Sequence, residues 1–138
     1  MQATLYTDGG ARGNPGPGGI GYILSFEDGR EVSKGTYIGE ATNNQAEYKA
    51  LRAGMARARA EGVSQLLCRL DSELAVKQLS GEYRVKDPDL KPLFDEVKSI
   101  ASGFFQVVFE HVPRQQNAEA DALVNQAIDA ELAKKKTP

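Results

Sequence analysis

Alternating polar and apolar positions open the chain and predict β-structure. Segments rich in β-forming residues predict three strands, over Ala3–Asp8, Ile20–Phe26 and Val32–Ile38. The glycine- and proline-rich stretch Gly9–Gly19 is typical of a loop. The Asp-Gly pair within Glu27–Arg30 predicts a type I′ hairpin turn, because these residues tolerate positive φ. The chain is therefore expected to open with an antiparallel meander.

The hydrophobic period then lengthens to three and four residues, which is typical of a helix. This pattern predicts a helix from Asn43 to about Ala60, which Gly62 ends. The rest predicts a strand, two helices, a strand and a last helix, over Leu66–Leu70, Glu73–Leu79, Leu90–Ile100, Phe104–Val112 and Asn117 to about Lys134. This order predicts an α/β fold with a mixed five-stranded sheet, three antiparallel strands followed by parallel ones, with helices on both faces.

Length and composition add limits to this picture. The 138 residues fit a single domain, predicted over residues 1–132, with a flexible basic tail over 133–138. A net charge of −2 excludes a strong global attraction to nucleic acid, so any polyanion site must be local. The single cysteine excludes an intrachain disulfide, and no signal peptide or membrane-length apolar run is present. We therefore expect a cytoplasmic protein that does not associate with membranes.

Four acidic residues stand where acids are unusual. Asp8 ends the first predicted strand, Asp71 follows the fourth, and Glu47 and Asp121 lie near the starts of two helices. The carboxyl ends of strands in an open sheet are the usual place for a site, so these side chains are expected to converge there.

Each acid also has a simple structural interpretation. Glu47 fits a capping box with Asn44 as the cap, and Asp71 can cap the helix that follows it. The helix dipole favours an acid at Asp121, and Asp8 can open the glycine-rich turn. A structural role can explain each acid alone. It explains less well why four acids stand on elements that share one sheet edge.

Convergence of the four acids would have a physical consequence. Carboxylates within a few ångströms of one another cannot all stay ionised without a cation. Mg²⁺ prefers carboxylate oxygens, and two such ions suit in-line displacement at phosphorus. The residues alone therefore predict metal-dependent phosphodiester hydrolysis.

Further polar residues are candidates for substrate contact. The prolines in the glycine-rich loop and the missing Gly-Lys-Ser/Thr make a nucleotide phosphate loop improbable, but small residues there allow close approach beside Asn14. The run Thr42–Asn44 offers side-chain amides and free helix N-terminal amides for phosphate or sugar. His111 is the only histidine and is either structural or a proton shuttle, while Arg114 either orients a phosphate or faces solvent.

Four motifs together resemble type 1 ribonuclease H, in its compact form without a basic protrusion. Taken in order along the chain, the motifs are Thr7–Gly10 with Gly13–Gly19, Thr42–Glu47, Leu70–Ser72, and His111–Arg114 with Asn117–Leu123. Each motif is weak alone, but the set spans nearly the whole chain in the family's order. The resemblance implies the ribonuclease H-like fold and cleavage of the RNA strand of RNA–DNA hybrids, leaving 5′-phosphate and 3′-hydroxyl ends.

The resemblance also implies roles for individual residues. Asp8 and Asp71 would hold or bridge two Mg²⁺ ions, for which Mn²⁺ can substitute. Glu47 would bind a metal and the substrate side, and Asp121 would hold the metal that activates water. His111, Arg114 or both would assist a late step. Contacts to the hybrid, with the 2′-hydroxyl marking RNA, are implied for Gly9, Asn14, Thr42, Asn43, Asn44 and Ser72.

The chain departs from larger family members in two places. The stretch Gly81–Pro92 carries only three basic residues and no tryptophan, so weaker and more salt-sensitive hybrid binding is expected. Glu73 stands where some relatives have a glutamine. Double-stranded RNA stays open as a further substrate, and a monomer is expected. The alternatives are another nuclease on the same fold, or a non-catalytic hybrid-binding module whose acids only cap helices.

Overall fold

The computed structural model describes residues 1–135, with Lys135 described by its backbone alone. A short 3₁₀ turn, Arg114–Asn117, precedes the last helix. The strands are β1 (Gln2–Ala11), β2 (Gly16–Phe26), β3 (Glu31–Ala41), β4 (Gln65–Leu70) and β5 (Gln106–His111). The helices are α1 (Asn43–Ala60), α2 (Glu73–Leu79), α3 (Lys91–Ala101) and α4 (Ala118–Lys135).

The strands form one five-stranded sheet in the order β3-β2-β1-β4-β5. The first three strands pair in antiparallel fashion, while β4 pairs in parallel with β1 and β5 in parallel with β4. The predicted fold class and element order are therefore confirmed.

Helices cover the two faces of the sheet differently. Helices α1 and α3 pack on each other, and α1 packs on β1 and β2 over the main core, which includes Leu5, Leu51 and Met55. On the other face, α4 packs on β2, β3 and β1. The close approach of α4 depends on glycine, because a Cβ at Gly21 would lie 2.6 Å from the Ala120 carbonyl oxygen. Both faces thus bring a helix towards β1.

The structure corrects the predicted loop between the first two strands. Residues Gly9–Ala11 continue β1 and Gly16–Gly19 belong to β2, so the connection is only residues 12–15. Asp8 therefore lies within β1, opposite Gly21, and not at its end. Backbone hydrogen bonds between β1 and β2 hold these glycine-rich residues in strands, and composition alone does not indicate this pairing.

The hairpin turn also differs from the predicted type. Gly29 has a φ of 92°, but among the described residues only glycines have a positive φ, so Asp28 does not adopt the type I′ conformation. Gly29 N donates to Phe26 O at 3.0 Å, and Phe26 N donates to Arg30 O at 2.8 Å. This is a three-residue loop in which glycine takes the left-handed position, and it keeps the predicted strand pairing.

Helix α4 continues to Lys135, past the predicted domain limit at residue 132. Residues 136–138 of the predicted tail lie outside the described residues, so its flexibility stays a prediction. Among the described helices, none is both long and apolar enough to cross a membrane.

Candidate active site

The register of the parallel strands brings two of the predicted acids together. Tyr6 lies opposite Arg69 in the β1–β4 pair, and two residues further along the chain are Asp8, within β1, and Asp71, directly after β4. One carboxylate oxygen from each of Asp8, Asp71 and Glu47 lies within 4.8 Å of the other two. Three of the four predicted acids therefore form one cluster.

Glu47 reaches the cluster from α1. Thr42 is the N-cap, and its hydroxyl accepts a hydrogen bond from Gln45 N at 3.1 Å while Gln45 Oε1 accepts one from Thr42 N at 3.0 Å. The predicted capping box of Asn44 and Glu47 is therefore wrong, because the cap lies two residues earlier. This register leaves the Glu47 carboxylate free to face Asp8.

Gly9 allows α1 to lie against β1 at this point. A Cβ at Gly9 would lie 2.2 Å from the Ala46 carbonyl oxygen, so only glycine fits there. Gly9 N also donates to Glu47 Oε1 at 3.4 Å. Gly9, predicted as a substrate contact, thus has a structural reason to be glycine at the centre of the site.

Asp121 approaches the cluster from the opposite face of the sheet. It lies in the first turn of α4, and its carboxylate is close enough to Asp8 to raise the pKa of Asp8. It lines the same cavity as the other three acids, with a volume of about 300 Å³. The four predicted acids thus share one cavity, although Asp121 is not in the tight group of three.

Burial sets the electrostatics of the cluster. Burial, followed by the charge of Asp71, raises the pKa of Asp8 from 3.8 to about 7. Burial, followed by the charge of Asp8, raises the pKa of Glu47 well above its usual value. Glu47 Oε2 is buried and has no hydrogen-bond donor among the described residues. A buried oxygen without a donor, among other carboxylates, is suited to a bound cation.

The donor set at this cluster consists of carboxylate oxygens. Such ligands favour hard cations such as Mg²⁺ and Mn²⁺ over softer metals that prefer thiolate or imidazole. Cys68 is buried in the core and is not among the residues lining the cavity. The residues therefore fit the metal that the sequence predicts.

The two remaining catalytic candidates are placed differently. Arg114, in the 3₁₀ turn after β5, lines the cavity with the acids. His111, the last residue of β5, is exposed and is not among the residues lining the cavity. It lies near Glu73, whose pKa is lowered by Lys77 and to a smaller extent by His111.

The predicted substrate contacts surround the loop of residues 12–15. Asn14 Oδ1 accepts a hydrogen bond from Asn43 N at 3.0 Å, and Asn43 Oδ1 accepts one from Ala11 N at 3.0 Å. Asn44 is exposed at the start of α1. Ser72, and not Asp71, is the N-cap of α2, and its hydroxyl accepts from Ala75 N at 3.2 Å. Asn14, Asn43 and Asn44 form a polar rim between the loop and α1, whereas Ser72 follows Asp71 at the start of α2.

Sequence reasoning missed three polar residues near the acids. Arg12 and Asn125 line the cavity, and buried Asn117 donates from Nδ2 to Thr7 O at 2.7 Å, directly before Asp8. Two of them had a usable signal: Asn117 stands in the fourth motif, and Asn125 stands four residues after Asp121 and therefore faces it on the helix.

Comparison with known proteins gives the same picture. A family described as reverse transcriptase-like matches residues 6–127. Ribonuclease HI of Halobacterium salinarum is 45% identical over 90% of this chain and 63% of the relative, and the crystal structure of RNase H1 from that archaeon superposes with a TM-score of 0.90 at 43% identity, covering 94% of this chain and 99% of that one. The bifunctional protein Rv2228c of Mycobacterium tuberculosis is 42% identical over 94% of this chain. The chain spans 36% of that protein's length.

A further solved structure bears on the ligand. LC11-RNase H1, isolated from compost, was solved in complex with an RNA/DNA hybrid and superposes with a TM-score of 0.89. It is 45% identical to this chain, and the match covers 94% of this chain and 99% of that one. A match of this identity along the full length of a ribonuclease H1, around acids that the present fold brings together, confirms the resemblance drawn from the four motifs: the chain belongs to the ribonuclease H family.

Proposed function

We propose that this protein is an endoribonuclease that hydrolyses the RNA strand of RNA–DNA hybrids and leaves 5′-phosphate and 3′-hydroxyl ends. The observation that carries the proposal is the group of three carboxylate oxygens, from Asp8, Glu47 and Asp71, within 4.8 Å of one another. Membership of the ribonuclease H family and the hybrid bound by LC11-RNase H1 support the choice of substrate.

The proposed cofactor is Mg²⁺, with Mn²⁺ as a substitute. When bound, two such ions supply Lewis-acid stabilisation of the phosphate and lower the pKa of the attacking water. Asp8 on β1 and Asp71 directly after β4 would hold them, Glu47 would hold one from α1, and Asp121 would hold one from α4. The raised pKa values of Asp8 and Glu47 favour their protonated forms, so both carboxyl groups must lose their protons before they can bind the metal ions.

The proposed substrate contacts are Gly9, Asn14, Thr42, Asn43, Asn44 and Ser72. Asn14 uses its Oδ1 on Asn43 N, so its Nδ2 is left to donate to the hybrid. The exposed amide of Asn44 can donate and accept, as recognition of a 2′-hydroxyl requires. Discrimination between RNA and DNA at this rim is therefore proposed to depend on amide side chains.

Arg114 is the better placed of the two assisting residues. It lines the cavity, and a guanidinium can hold a phosphate with paired hydrogen bonds. His111 stays a proposal as a proton shuttle for the leaving group, at the exposed end of β5. We also propose a monomer that acts in the cytoplasm.

A panel of labelled duplexes tests the function. Hybrid, double-stranded RNA and double-stranded DNA are each incubated with Mg²⁺, with Mn²⁺ and with EDTA. We expect cleavage of the RNA strand of the hybrid with either metal and none in EDTA. Cleavage of DNA duplexes, or tight hybrid binding with no cleavage under any metal, would establish one of the two alternatives instead. Cleavage of double-stranded RNA would extend the substrate range without removing the activity on hybrids.

A further inference from the structure

A chain of polar side chains links the loop of residues 12–15 to Asp121. Arg12 Nη1 forms an ion pair with Asp129 Oδ1 at 2.6 Å, and Arg12 Nη2 donates to Asn125 Oδ1 at 3.3 Å. Asn125 Nδ2 in turn donates to Asp121 O at 3.1 Å and to Asp121 Oδ2 at 3.4 Å. Asp121, Asn125 and Asp129 stand four residues apart, so they lie along one face of α4.

The partners of Asn125 determine the orientation of its amide. The oxygen faces the guanidinium of Arg12, and the NH₂ group faces the carboxylate of Asp121. The reverse orientation would place the NH₂ group against a cation and the oxygen against an anion, which both partners disfavour. Arg12 therefore holds Asn125 in the orientation that donates to Asp121.

Stability alone is a poor explanation of this arrangement. The side chains of Arg12 and Asp129 are 40% and 67% exposed, and an ion pair so exposed contributes at most about 1 kcal/mol. Yet Arg12 and Asn125 both line the cavity with the four acids. The contacts of Arg12 also join α4 to the loop of residues 12–15. In the same loop, Asn14 accepts a hydrogen bond from Asn43 N at the N-terminus of α1.

We propose that Asn125 is a positioning residue for Asp121, and that Arg12 ties this position to the substrate loop. The inference rests on the proposed function, in which Asp121 is a metal ligand. A residue that donates a hydrogen bond to a metal-ligating side chain restricts the orientation of that ligand. Loss of such a residue commonly weakens metal binding about tenfold or more. Asn125 restricts the orientation of Asp121 from the same helix, α4. Arg12 connects this restriction to the loop of residues 12–15.

The substitution Asn125→Ala tests the inference, with Gln126→Ala as the matched control. Gln126 is the next residue on the same helix and is exposed. Isothermal titration with Mn²⁺ measures metal affinity without turnover, and fluorescence anisotropy in EDTA measures hybrid affinity without metal. We expect Asn125→Ala to weaken Mn²⁺ binding about tenfold. We expect it to leave hybrid affinity in EDTA within about twofold, because the Arg12–Asp129 contact remains. Gln126→Ala should change neither.

Arg12→Ala, alone and combined with Asn125→Ala, tests the link to the loop. If Arg12 acts on Asp121 through Asn125, Arg12→Ala weakens Mn²⁺ binding, and the double variant binds no more weakly than Asn125→Ala alone. If the two losses of Mn²⁺ affinity multiply in the double variant, Arg12 and Asn125 act independently, and the proposed link between the loop and Asp121 is wrong.

The outcomes separate this inference from the proposed function. Absence of Mn²⁺ binding by the wild-type protein would contradict the proposed function itself. Normal Mn²⁺ binding by wild type and by Asn125→Ala alike would overturn only the positioning role. A lower melting temperature with equal losses of metal and hybrid affinity would indicate a structural role and would also overturn it.

Discussion

At the scale of single residues, burial and then repulsion between neighbouring carboxylates dominate the electrostatics of the site. Asp8 is 7% exposed and Glu47 is 9% exposed, so neither charge is well hydrated. The charge of Asp8 raises the pKa of Glu47, and the charge of Asp71 raises the pKa of both, whereas the hydrogen bond with Glu47 lowers that of Asp8. Without a cation the site is therefore a source of instability, which the fold retains because the same crowding favours metal binding.

Asp8→Asn should separate activity from stability. An amide of the same shape keeps the packing but removes one charge and one metal ligand. We expect hybrid cleavage to fall at least about a hundredfold, since a metal contributes several kcal/mol to the transition state. In EDTA at alkaline pH the same variant should melt at a higher temperature than wild type, because the repulsion on Glu47 and Asp71 is reduced.

The control for this variant is Glu40→Gln, which removes one exposed carboxylate on β3. It should leave the melting temperature and the cleavage rate close to wild type. Full activity of Asp8→Asn would reject the metal-site assignment. A lower melting temperature of Asp8→Asn in EDTA would show that the repulsion described here is not significant.

The raised pKa values predict a pH dependence of stability. Because Asp8 has a higher pKa folded than unfolded, the folded state binds more protons, and stability falls as pH rises from 3.8 to about 7. In EDTA, the melting temperature of Asp8→Asn minus that of wild type should therefore grow between about pH 4 and about pH 8. Calorimetry should also detect proton release on Mn²⁺ binding near neutral pH. A difference that is constant with pH, with no proton release, would contradict the shift.

Residue types and spacing were enough to identify the four acids, but not their supporting contacts. Asp8, Glu47, Asp71 and Asp121 stand at positions where acids are unusual, and that signal is local. Arg12 is 113 residues away from Asn125 in sequence, so their contact follows from tertiary packing that no local pattern encodes.

At the scale of elements, the site depends on how closely two helices approach β1. Gly9 allows α1 to approach, and Gly21, opposite Asp8, allows α4 to approach. Asp8 is therefore next to Gly9, which allows the helix of Glu47 to approach, and opposite Gly21, which allows the helix of Asp121 to approach.

Gly21→Ala should move α4 away from the sheet. The added Cβ would lie 2.6 Å from Ala120 O and 2.9 Å from Leu123 Cβ, and the backbone oxygen cannot rotate away. We expect a loss of about 1–3 kcal/mol in the free energy of unfolding, typical of overpacking. Mn²⁺ affinity should fall as well, because Asp121 moves with α4. Urea unfolding and calorimetry measure the two effects.

Gly10→Ala is the matched stability control on β1. Its Cβ would meet only Asn43 Oδ1, at 4.0 Å, so the free energy of unfolding should change little. Equal stability of Gly21→Ala and Gly10→Ala would show that α4 is not held by this close contact.

The order of the elements could be predicted from the sequence, whereas several strand boundaries and the N-cap of α1 could not. Period and β-propensity identify each strand and helix, because burial on one face imposes them. Composition places Gly9–Gly19 in a loop, but most of these residues are in strands. Gly9 and Gly19 are glycine because α1 and α4 lie against them, which composition alone does not indicate. Similarly, Asn44 and Glu47 satisfy the capping pattern, yet Thr42 and Gln45 take those positions.

At the scale of the whole molecule, the site exists only when the complete fold is formed. Strand β1 supplies Asp8, the residue directly after β4 is Asp71, and α1 and α4 add one acid each from opposite faces of the sheet. Since the unfolded chain cannot assemble these ligands, metal binding must stabilise the entire domain. With a net charge of −2, the proposed hybrid binding would rely on a few local cations.

The cations in the loop after α2 give the last prediction, on the salt dependence of hybrid binding. Lys86 is exposed beside Arg84 and Tyr83, in the stretch where larger family members carry a basic protrusion. If Lys86 contacts one phosphate of the hybrid, Lys86→Ala should weaken binding and reduce the slope of log affinity against log salt by about 0.9. Fluorescence anisotropy in EDTA across a salt series measures this slope. Lys34→Ala removes an exposed lysine on β3, away from the cavity, and should leave the slope unchanged. Equal slopes for Lys86→Ala and Lys34→Ala would exclude a phosphate contact at Lys86, and the hybrid would then be held mainly at the rim formed by Asn14, Asn43 and Asn44.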